Sequence, residues 1–468
     1  MRRVILLLCM VFSLLPSLTD AKTCYVRDGG TATGSNGCDS AGARDWSVAS
    51  NVYDQLSSAV SVAARGDEIF VANGAYSGGI TFNIAASGTT RIKVCKATPS
   101  TVGSCATAHG TDTGWSNTYS AGQAVFSSSS NVFTVEMTYL TIDGVTGSGT
   151  SGHGIKLSTT GTLWNTGGTI ASFGSAPNFL FLRHLELEAP APNGNLANFN
   201  VNSQVWPGAN GQVIAYCYVH GGLVGILVTG SNEIIEYSVL QNNGGQQHSE
   251  MIDAANVQNL TIRYNVLENL VSPDGTTYIE PQVNGGTVPN GIYIYGNVFK
   301  ATRADEGTQN PSMFSSTSNE QVLNVFIYNN TIYGLHGQVG GFEDSGIRGD
   351  NALSTITVRN NIWQANTYAP GFQAVQVQDH NILNTGGVSF VNTATGNFHL
   401  TSATTAGVAL PAPYNLDPDG NVRGADGTWD VGAYEFTGAG DTIPPAAPTG
   451  VTIARPETPA NLHLTGVR

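Results

Sequence analysis

The feature that most narrows what this chain can fold into is a repeated strand-and-corner template. Asn259-Leu-Thr-Ile-Arg-Tyr-Asn265, Gly291-Ile-Tyr-Ile-Tyr-Gly-Asn297, Asn324-Val-Phe-Ile-Tyr-Asn-Asn330 and Ser354-Thr-Ile-Thr-Val-Arg-Asn-Asn361 share it. In each, an apolar strand of period two ends in a turn carrying Asn, and a second short apolar strand follows. Asn265, Asn297, Asn330 and Asn361 are 32, 33 and 31 residues apart, and a shorter step reaches Asn381. Weaker copies without the Asn occur around Leu140, Phe179, Val213 and Glu233. Units of this size cannot bury their own apolar face and become stable only by stacking, so the expected fold is a β-solenoid. Asn tolerates a left-handed backbone, and amides stacked coil on coil can bond to one another. The repeated Asn residues are therefore read as structural.

Composition agrees with a large core and limits the partners. The 468 residues are 41% hydrophobic but only 11% charged, and 57 are Gly, so Ser, Thr, Asn and Gly must supply the polar surface. The net charge of -14 opposes phosphate backbones, which excludes nucleic acid as the natural partner. Arg2 and Arg3 precede an apolar run from Val4 to Leu15, then Pro16 and Thr19-Asp20-Ala21. This reads as an export leader over residues 1–21, because the run is too short for a membrane span. The mature chain is expected outside the cell, either secreted or held at the cell surface through a further C-terminal region, and is read as a monomer without a transmembrane segment. In an oxidising compartment Cys24 with Cys38 and Cys95 with Cys105 are the expected disulfides, leaving Cys217 as a small core residue.

Leu56, Ala59, Val60 and Ala63 lie at helical spacing within residues 52–65, with Asn51 and Asp54 placed to cap the start and Gly66 to end it. This predicts a short helix capping the first coil. Next, Arg65-Gly-Asp-Glu-Ile-Phe-Val-Ala-Asn-Gly-Ala-Tyr76 resembles the entry segment of secreted right-handed parallel β-helix proteins of the pectate-lyase-like superfamily. Asp417-Pro-Asp-Gly-Asn-Val-Arg423 and Trp429-Asp-Val-Gly-Ala-Tyr-Glu435 are similar to the terminal motif of many bacterial members. The resemblance covers residues 23–436 and implies an all-β, right-handed parallel β-helix over 22–436. It is specific for fold rather than reaction, since such proteins include lyases, hydrolases and members without known chemistry. Residues 437–468 form a Pro-rich tail in which Pro448-Thr-Gly-Val-Thr-Ile453 resembles the opening of a fibronectin type III module.

The resemblance also implies that the strand before each Asn lies in a second sheet and the stretch after it in a third. A groove is then expected along the first sheet. The first-sheet segments are read as Gly225 to Val228, Ser249 to Asp253, Tyr278 to Glu280, Ser312 to Phe314, and Gly341-Phe-Glu343-Asp344. Coils stack at about 4.8 Å, which brings Glu250 or Asp253 beside Glu280, with Glu343 further along. Asp253, Glu280 and Glu343 are the candidate ligands for a hard cation such as Ca²⁺. His248 and Glu250 are candidate proton-transfer groups, joined by Lys300 and Arg303 on a loop expected to overhang the groove. Arg348 is placed in the corresponding loop one coil later, as a substrate contact. Tyr293, Tyr295 and Tyr328, flanked by Arg263, are expected to point outward from the second sheet. There they would either stack on sugar rings or be covered by N-terminal loops. The function these residues suggest is cleavage of an acidic extracellular polysaccharide by cation-assisted β-elimination. A glycoside hydrolase using paired carboxylates and a non-catalytic glycan-binding or adhesion protein are the alternatives.

Overall fold

A computed structural model describes residues 21–438 except 40–44, 86–87, 102–103, 106, 161–168, 173–178, 191–204, 207, 245–248, 271–276, 284–285, 303–311, 317–319, 336–345, 350, 367–369 and 385–386. The leader and the tail therefore lie outside the described residues. What is described is a right-handed parallel β-helix of three strand columns. The third sheet has 11 strands, from Gly74–Ser77 to Ile382–Leu383. The first and second sheets join into one 22-stranded network, because the 14-residue strand Glu250–Arg263 runs from one to the other without a break. Side chains from all three sheets meet in one continuous apolar core. Stacked columns such as Leu260, Ile292, Val325 and Ile356 show how each coil buries the face its neighbour leaves open.

The corner Asn residues form a buried ladder. The Asn297 Oδ1 accepts the backbone N–H (2.9 Å) and the side-chain amide (3.0 Å) of Asn265, and the same pair of bonds joins Asn297 to Asn330, Asn330 to Asn361 and Asn361 to Asn381. Toward the N-terminus the ladder continues with the Ser238 backbone N–H donating to Asn265 Oδ1 and the Cys217 N–H to Ser238 Oγ. The expected amide stacking is present, but the backbone reason for Asn is not. The left-handed residue is the one before it: Tyr264, Gly296, Asn329, Asn360 and His380 all have positive φ. Asn is selected at the next position because its amide donates and accepts at once, as a peptide group does.

Two expectations about the flanks are refined. Both disulfides form as paired above, and Cys217 is buried and free. The capping helix spans only Leu56–Val60, after a 3-10 turn at Ala49–Asn51. Its N-cap is Gln55 without a side-chain cap bond, while Asp54 accepts the Gly29 N–H instead. Leu56, Ala59 and Val60 still enter the core, so the short helix closes the first coils.

One polar pair interrupts the interior column. Gln212 and Glu233 stand where Leu180 and Leu260 stand on the flanking coils. Neither Glu233 carboxylate oxygen finds a well-aligned donor, and burial holds its proton affinity well above the usual carboxylate range, eased only in part by the Gln212 backbone. A raised folded pKa gives stability that is complete below the unfolded value and is lost as pH rises through the folded one. Glu233→Gln is therefore expected to be at least about 1 kcal/mol more stable than the wild type at pH 8 and indistinguishable from it at pH 4. Urea unfolding at both pH values checks this, and equal differences at the two would refute it.

Candidate active site on the first sheet

Met251 and Ile252 both enter the core, and Glu250 and Asp253 flank them on the same strand. The next strand, Thr277–Gln282, pairs so that Asp253 lies beside Glu280 and Glu250 beside Thr277. Glu250, Asp253 and Glu280 are 3%, 8% and 3% exposed, and the Glu250 carboxyl shares a hydrogen bond with that of Glu280. A fourth acid, Glu320, joins them: its Oε2 accepts the Val283 N–H at 2.7 Å, and its charge acts on Asp253.

The electrostatics follow from burial first and like charge second. Desolvation and then the neighbouring Glu280 hold Glu250 well above the usual carboxylate range. Burial, followed by Glu280 and Glu320, raises Asp253 to about 7. Glu320 is raised by burial, partly offset by the Val283 amide, with Glu280 adding to the shift. Among the described residues no basic group offsets these shifts. Glu250 Oε1 and Asp253 Oδ1 are buried without a hydrogen-bond partner. Such acids either keep protons near neutral pH or take up a cation.

The sequence places the other candidates less well. Arg348 lies on the first-sheet strand Ile347–Gly349, not on a loop, and pairs with Ser315. Phe314 pairs with both Ile279 and Ile347, so one column runs Asp253, Glu280, Ser315, Arg348. That strand takes the place expected for residues 341–344, and Glu343, His248 and Arg303 lie outside the described residues. Lys300 does not overhang this site. It ends the third-sheet strand Val298–Lys300 and is ion-paired with Glu268 at 3.0 Å, because the strand runs one residue further than the loop reading assumed. Glu320 left no trace in the sequence, since its position depends on the backbone amide of Val283 rather than on strand register.

The second-sheet aromatics are covered, but not by N-terminal loops. Tyr295 and Tyr328 are buried against Leu410 and Trp429, with Tyr414 edge-on to both rings at 4.9 and 5.0 Å. The C-terminal segment folds back and is pinned there by bonds from Trp429 Nε1 to Asn329 and from the Asn360 amide to the Val408 carbonyl. Tyr293 and Phe326 remain half-buried and stacked at 5.5 Å. Arg263 is engaged by Glu236 at 2.6 Å and by the Tyr295 hydroxyl. Asp417 is committed as well: its carboxylate accepts the backbone N–H groups of Asp419, Asn421 and Glu435, which ties the terminal motif to itself.

A second polar cluster, absent from the sequence reading, sits on the outer face of the third sheet. Glu186, Glu188 and His220 have ligand atoms all within 4.8 Å of one another. Lys156 bonds to both carboxylates at 2.9 Å.

Among the described residues no helix is long and apolar enough to cross a membrane. No protein-family model matches the sequence, and no curated protein matches it. Solved structures similar to the chain include pectate lyase Pel9A, at 14% identity and a TM-score of 0.41, covering 88% of this chain and 97% of that one. An alginate lyase from Paenibacillus sp. str. FPU-7 has 14% identity and a TM-score of 0.34, covering 70% and 96%. A mannuronic acid specific family 6 polysaccharide lyase from human gut microbiota has 13% identity and a TM-score of 0.32, covering 67% and 78%.

Proposed function

We propose that the protein is exported and cleaves an acidic polysaccharide along its first sheet by β-elimination assisted by a bound cation, with Ca²⁺ the fitting ion. The observation that supports this most is the mutual approach of Glu250, Asp253, Glu280 and Glu320, with no basic group among the described residues acting on Glu250, Asp253 or Glu320. The donors are all carboxylate oxygens, as a hard cation prefers, and two of them are buried without partners. Asp253 and Glu280 would hold the ion, with Glu250 and Glu320 beside them. It would supply positive charge to neutralise a uronate carboxylate and so acidify the proton on the adjacent carbon.

His248, two residues ahead of Glu250 in the chain, is assigned as the base, since imidazole titrates near neutrality. The C–H proton passes to His248, the electron pair of that bond forms the carbon–carbon double bond, and the C–O bond breaks with its pair on the glycosidic oxygen, which leaves with the departing fragment and takes a proton from water. Arg348, in the column of Glu280, is assigned to a substrate carboxylate.

A paired-carboxylate hydrolase is the second reading, favoured by the Glu250–Glu280 bond, in which one carboxyl holds a proton as a general acid must. Direct contact, however, is closer than the roughly 5–5.5 Å separation of retaining hydrolysis. The purified full chain is expected to release unsaturated products from a uronic-acid polysaccharide, read by ultraviolet absorbance. EDTA should stop the release and Ca²⁺ restore it, and His248→Ala should cost at least about 100-fold. New reducing ends without that absorbance would favour hydrolysis. Binding without product would overturn the enzymatic reading.

A further inference from the structure

We propose that Glu186, Glu188 and His220 form a separate site for a borderline divalent ion, of the Zn²⁺ class, at which Lys156 acts as a tethered competitor. The site lies on the third sheet, so it stands or falls independently of the first-sheet acids. Glu186 and Glu188 occupy alternate positions of the strand Leu185–Glu188 and therefore project to one face. His220 is the register partner of Glu188 on the next coil. Parallel pairing on both sides thus fixes the three donors within 4.8 Å of one another without recourse to a loop.

The donor chemistry selects the ion. One imidazole nitrogen with two carboxylates suits Zn²⁺, Ni²⁺ or Cu²⁺, whereas Ca²⁺ and Mg²⁺ prefer oxygen alone. Both carboxylates are also oriented from outside, by the Gln123 amide on Glu186 at 2.6 Å and the Ser158 hydroxyl on Glu188 at 2.9 Å. Such outer bonds are what hold metal-binding carboxylates in place. His220 Nε2 lies 3.3 Å from the same Glu186 oxygen that Lys156 contacts.

Lys156 marks the position of the ion. Its ammonium is 2.9 Å from a carboxylate oxygen of each Glu, so a cation already occupies the point where the negative charge converges. That ammonium is a point charge on a flexible four-carbon stem, and it is half-buried rather than sealed in. A divalent ion gains the imidazole that the ammonium cannot use, and displaces the lysine toward water.

The test is calorimetric titration with ZnCl₂ in chelator-free buffer of the full chain whose first-sheet acids have been saturated with CaCl₂. The wild type is expected to bind one Zn²⁺ saturably. Lys156→Met, which keeps the stem and removes the competing charge, should tighten binding by at least about tenfold, and His220→Ala should weaken it by at least about tenfold. His220→Gln serves as a second variant, and metal-free melting curves establish that each variant is folded. Glu280→Gln should bind Zn²⁺ as the wild type does. No saturable Zn²⁺ binding by the wild type, or binding by folded His220 variants equal to wild type, would overturn the proposal.

Discussion

Asn297→Ala is expected to destabilise the protein by about 4 kcal/mol. Asn297 Oδ1 accepts two bonds from Asn265, and its amide nitrogen donates to the Ile262 and Tyr295 carbonyls and to Asn330. Truncation strands donors and acceptors on both neighbouring coils in a site that water does not reach. Asn381, at the half-buried end of the ladder, accepts two bonds from Asn361 and donates one to the Val358 carbonyl, against five at Asn297, so Asn381→Ala should cost about half as much. Urea midpoints of the two variants measure the gradient. Losses under about 1 kcal/mol at both positions would mean that the ladder decorates the core instead of holding its register.

The double variant D253N/E280Q is expected to move stability and activity in opposite directions. Asp253 has its folded pKa raised to about 7, from a reference value of 3.8. Its contribution is fully present below the unfolded value and lost as pH rises through about 7, so the ionised site is most costly at pH 8. The difference of about three units corresponds to an upper figure of about 4 kcal/mol. In EDTA at pH 8 the double variant should therefore melt several degrees above the wild type, and at pH 4 the two should coincide. Calcium should raise the wild-type melting temperature, by the equivalent of about 2.7 kcal/mol at 100 times its dissociation constant, and leave the double variant unmoved. Product release should fall at least about 100-fold. A double variant that melts below the wild type in EDTA, or that still answers to calcium, would show that these acids are not strained against one another.

The fold was legible because its determinants are periodic. Asn265, Asn297, Asn330 and Asn361 announce the coil length, and strand alternation then assigns Ile292, Ile294, Val325 and Ile327 to the interior, where they lie. The pairing of Asp253 with Glu280 follows from the same register. What escaped was set by loops and by long-range folding back. Arg348 enters the first sheet on a three-residue strand that no copy of the repeat marks in the sequence. No periodicity brings Trp429 across 100 residues to Asn329, or Glu320 to the Val283 amide. The cluster of Lys156, Glu186, Glu188 and His220 lay within three adjacent coils, but those coils carry the weak copies of the repeat, where the register could not be read by eye.

The folding back of the last described segment also sets a timetable. Coils can stack as they emerge, yet the wall formed by Tyr264, Tyr295 and Tyr328 is sealed by Leu410, Tyr414 and Trp429, which are synthesised some 80 to 165 residues later. Until that seal arrives, a growing rod carries a bare aromatic strip along its flank, and premature termination before residue 408 leaves it permanently sticky. The aromatic flank is therefore sealed only once residues 408–429 have been made and have folded back.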